Sequence, residues 1–126
     1  MDAVEELARR LRASEYAAVL EMFHPDVRVQ QPSSLPHGGW HEGRTAVDAM
    51  GATFGTYWER TITDPRVVTT GDGLVMVTTQ TWTAKATGRV ATVDVVELFS
   101  FTDGMVSEIR VFQQDTHLLL GTLEDA

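Results

Sequence analysis

The sequence predicts an α+β fold, with helices packed on one face of an antiparallel sheet. Two observations carry that prediction. Apolar residues in the first half recur at helical spacing, and the second half is a run of Val, Thr and aromatic residues cut by glycine turns. The resulting order is helices, a strand, a helix and four strands. Segregated elements of this kind imply a sheet covered by helices on one side. With 126 residues, 43% of them hydrophobic, the chain has material for one core, and residues 1–126 read as a single domain.

The elements follow in order. Val4, Leu7, Ala8 and Leu11 make the buried stripe of a first helix, and Asp2 with Glu5 has the form of a capping box. Ser14 is placed to cap a second helix carrying Tyr16, Val19, Leu20 and Phe23 on one side. Pro25 ends it, because the residue before a proline avoids the α region. In the strand that follows, Val27, Val29 and Gln31 share one face and Arg28 and Gln30 the other. The Pro- and Gly-rich stretch from Pro32 to Gly43 reads as irregular. Thr45 with Asp48 restarts a helix whose stripe is Val47, Met50, Phe54 and Trp58. Gly51 and Gly55 each cost that helix about 1 kcal/mol relative to alanine, and close packing against the sheet would be a reason to keep them.

Four strands are expected as a meander: Ile62 to Thr70, Leu74 to Ala86, Arg89 to Phe101, and Met105 to Gln113. Asp72-Gly73 and Asp103-Gly104 are strong hairpin signals and Thr87-Gly88 a weaker one. A final helix is expected over Asp115 to Leu123. Trp82 shares a strand face with Met76, Thr78 and Gln80, and the pattern leaves open whether that face is inside.

Composition removes several function classes. The net charge of -8 repels phosphate backbones and anionic lipid surfaces, so neither nucleic acid nor membrane is an expected partner. There is no cysteine, which excludes disulfides and thiolate chemistry and fits a cytoplasmic location. The segment Met1-Asp2-Ala3-Val4-Glu5-Glu6 has no apolar signal core, and no apolar run reaches the length of a membrane span. His37 and His41 are four apart, but Pro36, Gly38 and Gly39 forbid the helix that would align them on a metal. No metal or cofactor is expected.

The most informative strand is Arg89 to Phe101. One face reads Ala91, Val93, Val95, Glu97, Phe99 and Phe101, apolar throughout except for Glu97. If that face turns toward the helices, Glu97 points inward, where desolvation raises its pKa. Two readings stay open: a functional acid or base, or an internal ion pair. Gln31 and Gln113 end apolar rows in the same way. They either line a pocket or reach solvent at the strand ends. His37, His41 and Trp40 lie in the Pro- and Gly-rich stretch, where Trp40 would serve as a lid and the histidines would exchange protons near neutral pH. Their bland reading is an exposed loop. Phe54, Tyr57, Trp58 and Phe99 complete the expected ligand-binding wall, with core packing as the alternative for Trp58.

Three stretches carry a family resemblance: Phe23-His24-Pro25-Asp26-Val27, the run from Leu35 to Gly43, and the closing run from Phe99 to Phe112. In their order and spacing the chain resembles the SnoaL-like, ketosteroid-isomerase-like branch of the nuclear transport factor two-like superfamily. The resemblance implies a cystatin-like cone, a strongly bent antiparallel sheet with N-terminal helices closing a pocket, and a homodimer through the outer sheet face. Counting back from Phe101 and Gly104, the oxyanion-hole aspartate of the ketosteroid isomerases, an acid kept neutral in an apolar site, falls on Glu97. Their general base falls on Gln31 and their tyrosine near Leu7, neither of which can do that chemistry. In the SnoaL-type cyclases the histidine position corresponds to Glu97, and the acid/base aspartate matches Asp115 only if a bulge shifts the register. Otherwise Asp115 caps the last helix. The Arg and Asp pair of limonene epoxide hydrolase is missing from the Arg89 to Phe101 strand.

The resemblance and the residues together point to a cofactor-independent acid/base enzyme acting on a small apolar cyclic carbonyl compound, cyclase-like or isomerase-like. Glu97 would be the acid or hydrogen-bond donor, helped by His37 or Asp115. A non-catalytic ligand binder and a dimeric interaction module are the competing readings.

Overall fold

A computed structural model describes residues 2–124. Helix α1 (Ala3–Arg12) starts where the capping box places it: the Asp2 carboxylate accepts a hydrogen bond from the Glu5 N–H at 2.8 Å. Acidic residues occupy its first turn and basic residues its last, both favourable to the helix dipole. Leu7, Ala8 and Leu11 are buried. Helix α2 (Tyr16–Leu20) is shorter than expected. Ser14 does not cap it; its φ is 57°, and Glu15 holds the cap position without a side-chain bond. Phe23 belongs instead to strand β1 (Phe23–Gln31), paired with Val106. His24 is therefore a strand residue. Pro25 sits where the ladder shifts register between Phe23 and Arg28, which accommodates its missing N–H.

The stretch expected to be irregular contains a strand. Strand β2 (Gly39–Glu42) pairs antiparallel with Arg28 to Gln31. Its β-pairing partner lies across a turn so tight that a Cβ on Gly38 would stand 2.3 Å from the Pro32 carbonyl oxygen. Glycine is required there, and the same glycine that suggested irregular structure makes the pairing possible. Helix α3 (Arg44–Tyr57) follows. Trp58 leaves it to become the first residue of strand β3 (Trp58–Thr69). The expected tight packing at Gly51 and Gly55 does not occur: a Cβ at either would meet nothing within 4 Å.

Strands β3, β4 (Gly73–Ala84), β5 (Val90–Thr102) and β6 (Met105–Gln113) form the expected meander. Asp103 and Gly104, with φ of 53° and 74°, make the tightest turn. The sheet order is β2-β1-β6-β5-β4-β3. All pairs are antiparallel except β1 with β6, which run parallel, a pairing that the long connection through α3 and four strands permits. Register shifts in the β3–β4 and β5–β6 ladders accompany the bend of this curved sheet. Helix α1 packs on β3 and β4, and α3 on β1, β2 and β3. The last helix, α4 (Thr116–Gly121), is capped by Asp115, whose carboxylate accepts from the Leu118 N–H at 2.9 Å.

Alternation decides what the concave face holds. On β5, Ala91, Val93, Val95 and Phe99 are buried. On β4 the buried set is Leu74, Met76, Thr78, Gln80, Trp82 and Ala84, so Trp82 faces inward. Trp58 and Trp82 are each 1% exposed. Removing such rings from water is worth roughly 4–6 kcal/mol apiece as an upper bound. No helix among the described residues is long and apolar enough to cross a membrane.

Candidate functional site

The helices do not fill the concave face completely. Between the sheet and helices α2 and α3 lies a cavity of about 350 Å³, at the lower end of small-molecule sites. Its walls are chiefly apolar: Phe23, Val29, Val47, Met50, Phe54, Val95, Ile109 and Val111. Gly51 borders it too, and a Cβ there would meet nothing within 4 Å. Five buried or half-buried polar side chains interrupt the wall: Gln31, His37, Gln80, Glu97 and Gln113. Two charged residues, Asp48 and Arg60, stand where it opens to solvent.

Glu97 projects from the middle of β5, opposite Met76 on one neighbour and Val111 on the other. Burial pushes its pKa up from the ordinary carboxylate value, and the charge of Arg60 opposes that shift without reversing it. Among the described residues Glu97 makes no ion pair and no side-chain hydrogen bond. The internal ion pair left open by the sequence is therefore not formed.

His37 is 4% exposed, far from the open-loop alternative. Its ring meets Phe54 edge-on at 5.3 Å and lies 6.0 and 6.1 Å from Trp82 and Trp58. Burial, then the charges of Arg60 and His41, hold its pKa down to about 4. At neutral pH it is uncharged, so the expected proton exchange near pH 7 does not fit this site. Its Nδ1 is buried without a partner. His41 stands behind it: Nε2 of His41 donates to the His37 carbonyl at 2.8 Å, which fixes the proton on Nε2 and steadies the turn.

The two inward glutamines meet across β1 and β6, with Gln113 Nε2 donating to Gln31 Oε1 at 3.4 Å. That long contact leaves Gln113 Oε1 buried and unpaired. Gln80 is the opposite case. Its Oε1 accepts from Trp82 Nε1 at 2.9 Å and its Nε2 donates to Thr78 Oγ1 at 3.1 Å.

Of the expected site residues, the fold brings Gln31, His37, Phe54, Glu97 and Gln113 to the cavity wall. It does not bring the others. Asp115 is spent on the cap of α4, since no bulge shifts it inward. Trp40 is no lid. It lies on the outer face of the sheet, 43% exposed, with the Arg28 guanidinium 4.3 Å above its ring. Tyr57 is exposed at the end of α3, Trp58 donates to Thr122 Oγ1 in the core, and Phe99 packs beyond the lining. Arg60 and Gln80 line the cavity without having been singled out. Placing the Trp82 face inside would have found Gln80, and starting the strand at Trp58 would have put Arg60 on the inner face. No group of three or more metal-ligating side chains occurs among the described residues.

Comparison with known proteins agrees with this geometry. The family model described as SnoaL-like domain matches residues 4–109. No curated protein matches the chain in sequence. Among solved structures, an NTF2-like protein of unknown function from Burkholderia pseudomallei is 24% identical, with a TM-score of 0.83 over 99% of this chain and 100% of that one. TerC, co-crystallised with polyporic acid, is 23% identical with a TM-score of 0.78, over 98% and 96% of the two chains. A candidate SnoaL-like polyketide cyclase from Jannaschia sp. CCS1 is 22% identical with a TM-score of 0.75, over 98% and 93%. At these identities the likeness establishes the fold.

Proposed function

The chain belongs to the SnoaL-like domain family, and we propose that within it this protein takes a small, largely apolar cyclic carbonyl compound into the cavity and acts on it by acid/base chemistry without a cofactor. The observation that carries the proposal is Glu97, a carboxyl group on an apolar wall that has no hydrogen-bond or ion-pair partner among the described residues and whose pKa burial pushes up. A protonated carboxyl group can donate a hydrogen bond to a carbonyl oxygen and stabilise negative charge arriving there. His37, neutral above about pH 4, supplies an acceptor but only a weak base. The family of the Jannaschia neighbour and the co-crystallisation of TerC with a small organic compound both support a ligand of this size.

The test is an NMR titration of the Glu97 side-chain carboxyl carbon, assigned with Glu97→Gln. A midpoint well above about 4.3 is expected. An ordinary or lowered midpoint would remove the acid/base reading. Screening carbonyl compounds for turnover by wild type and Glu97→Gln then separates an enzyme from a binder.

A binder is the second reading, and Gln31 favours it. It occupies the place where the resemblance puts a general base, and an amide cannot take a proton at neutral pH.

The same proposal includes a homodimer through the outer sheet face. Val75 faces Leu98 there, and Val77 and Phe112 flank Val96, forming an apolar strip across three strands. Phe112 is 43% exposed at its edge. Light scattering at micromolar concentration should report a dimer for wild type and a monomer for Phe112→Glu. A wild-type monomer would refute it. A cytoplasmic location is part of the proposal and rests on the cysteine-free composition.

A further inference from the structure

We propose that the cavity selects ligands carrying one negatively charged oxygen on a flat apolar frame, and that Arg60 is the residue that anchors that oxygen. The inference rests on the small-molecule reading above and names the class of molecule. Arg60 is the third residue of β3, in register with Trp82, whose ring lies on the concave side. The Arg60 side chain therefore leaves the sheet on the cavity side. Its guanidinium lies 4.8 Å over the Phe54 ring, and both residues line the cavity. A planar cation seated on an aromatic face keeps its N–H edge free for a ligand.

What that edge meets inside the protein is informative. Arg10 reaches the Glu6 carboxylate and the Ala18 carbonyl, Arg28 reaches Glu108, and Arg44 reaches the Phe23 carbonyl. Among the described residues Arg60 reaches no carboxylate, amide or carbonyl. Four titratable groups bear on it. Burial favours the neutral form of Glu97, which stands outside ion-pair distance, His37 is neutral at pH 7, and Tyr16 offers only its hydroxyl. Asp48 is exposed at the rim, where water screens it. Among the described residues the positive charge at the cavity is thus left without an ion-pair partner.

Burial lowers the Arg60 pKa, yet a guanidinium stays charged at any physiological pH. Arg60 is exposed at the cavity mouth, and a ligand that covers its guanidinium removes water from it, which gives a bound anion an advantage over a neutral group of the same shape. A carboxylate or enolate oxygen fits the fork of the guanidinium, and Glu97, in the protonated form that burial favours, can donate to a second oxygen. At net charge -8 the protein as a whole repels anions, so admission of one has to depend on a local cation.

The full chain should be titrated calorimetrically with naphthalene-2-carboxylate and with naphthalene-2-carboxamide, its neutral counterpart. Wild type should bind the carboxylate at least tenfold more tightly. Arg60→Gln should abolish that preference and leave carboxamide affinity within twofold, and Arg60→Lys should recover part of it. If Arg60→Gln keeps the preference, or if wild type binds both probes equally, the anchor is refuted and the cavity reading stands. If neither probe binds, both are refuted.

Discussion

The two ends of the concave face are built from similar residues and treated oppositely. At the α4 end, Trp58, Trp82 and Phe54 pack ring to ring, with centroids 4.8 to 5.7 Å apart. Every indole N–H there is satisfied: Trp58 by Thr122 at 2.8 Å, and Trp82 by Gln80, itself held by Thr78. Toward β1, Gln113 Oε1 and the Glu97 carboxyl group have no partner among the described residues, and His37, whose ring borders the aromatic cluster, leaves its Nδ1 buried and unpaired beside the cavity. Buried polar atoms are nearly always paired, so the contrast separates polar groups serving the core from polar groups that await a ligand or water.

The contrast breaks most visibly at Trp82. Trp82→Ala should cost about 3–5 kcal/mol by equilibrium urea unfolding, through lost contacts and an orphaned Gln80. A loss below about 1 kcal/mol would mean that the aromatic end is not the structural end.

The next largest effect depends on pH. Between about 4 and 6.5 the unfolded His37 binds a proton that the folded one refuses, so its contribution to stability rises with pH and is lost on acidification through that window. The loss is on the order of 2–3 kcal/mol. Glu97 has a raised folded pKa, so its contribution is full below the unfolded value and fades as pH rises. The two oppose each other, and the measurement is therefore a difference. His37→Phe against wild type at pH 4 and pH 7 should show the variant relatively more stable at pH 4. Equal shifts at both would place His37 in water.

The glutamines sharpen the comparison. Gln80→Leu strands the Trp82 N–H and should cost about 1–3 kcal/mol, whereas Gln113→Leu should cost less than about 1 kcal/mol, because its oxygen has no partner to lose and its amide gives up only the long 3.4 Å contact to Gln31. Equal costs would erase the distinction between the two ends. The smallest effect lies outside the cavity. Arg28 meets Glu108 at 2.8 Å while 45% exposed, so Arg28→Ala should change stability by less than about 1 kcal/mol, and addition of salt should shrink the difference further.

Legibility followed the range of the interactions. The Asp2 cap, the turn at Asp103-Gly104 and the inward face of β5 were readable because each depends on neighbours within a few residues. Phe23 and β2 were misread because strand pairing overrode local preference: Phe23 pairs with Val106, and Gly39 to Glu42 with Arg28 to Gln31. At the site, Glu97, Gln31 and Gln113 were visible as polar breaks in apolar rows. Arg60 was not, because it lay ahead of the expected strand and an arginine between Glu59 and Thr61 looks like an ordinary surface residue.

The sequence by itself determined the order and kind of most elements, the exclusion of thiol chemistry, and the presence of a carboxyl group on an apolar strand face. These are consequences of composition and of side-chain periodicity, which act locally. Only the tertiary structure decided that β1 lies parallel to β6, that Trp82 faces inward, that Trp40 and Asp115 leave the site, and that Glu97, His37 and Arg60 meet around one space. Those outcomes depend on which distant surfaces pack together. A free energy shared among many long-range contacts leaves no mark at any single position in the chain.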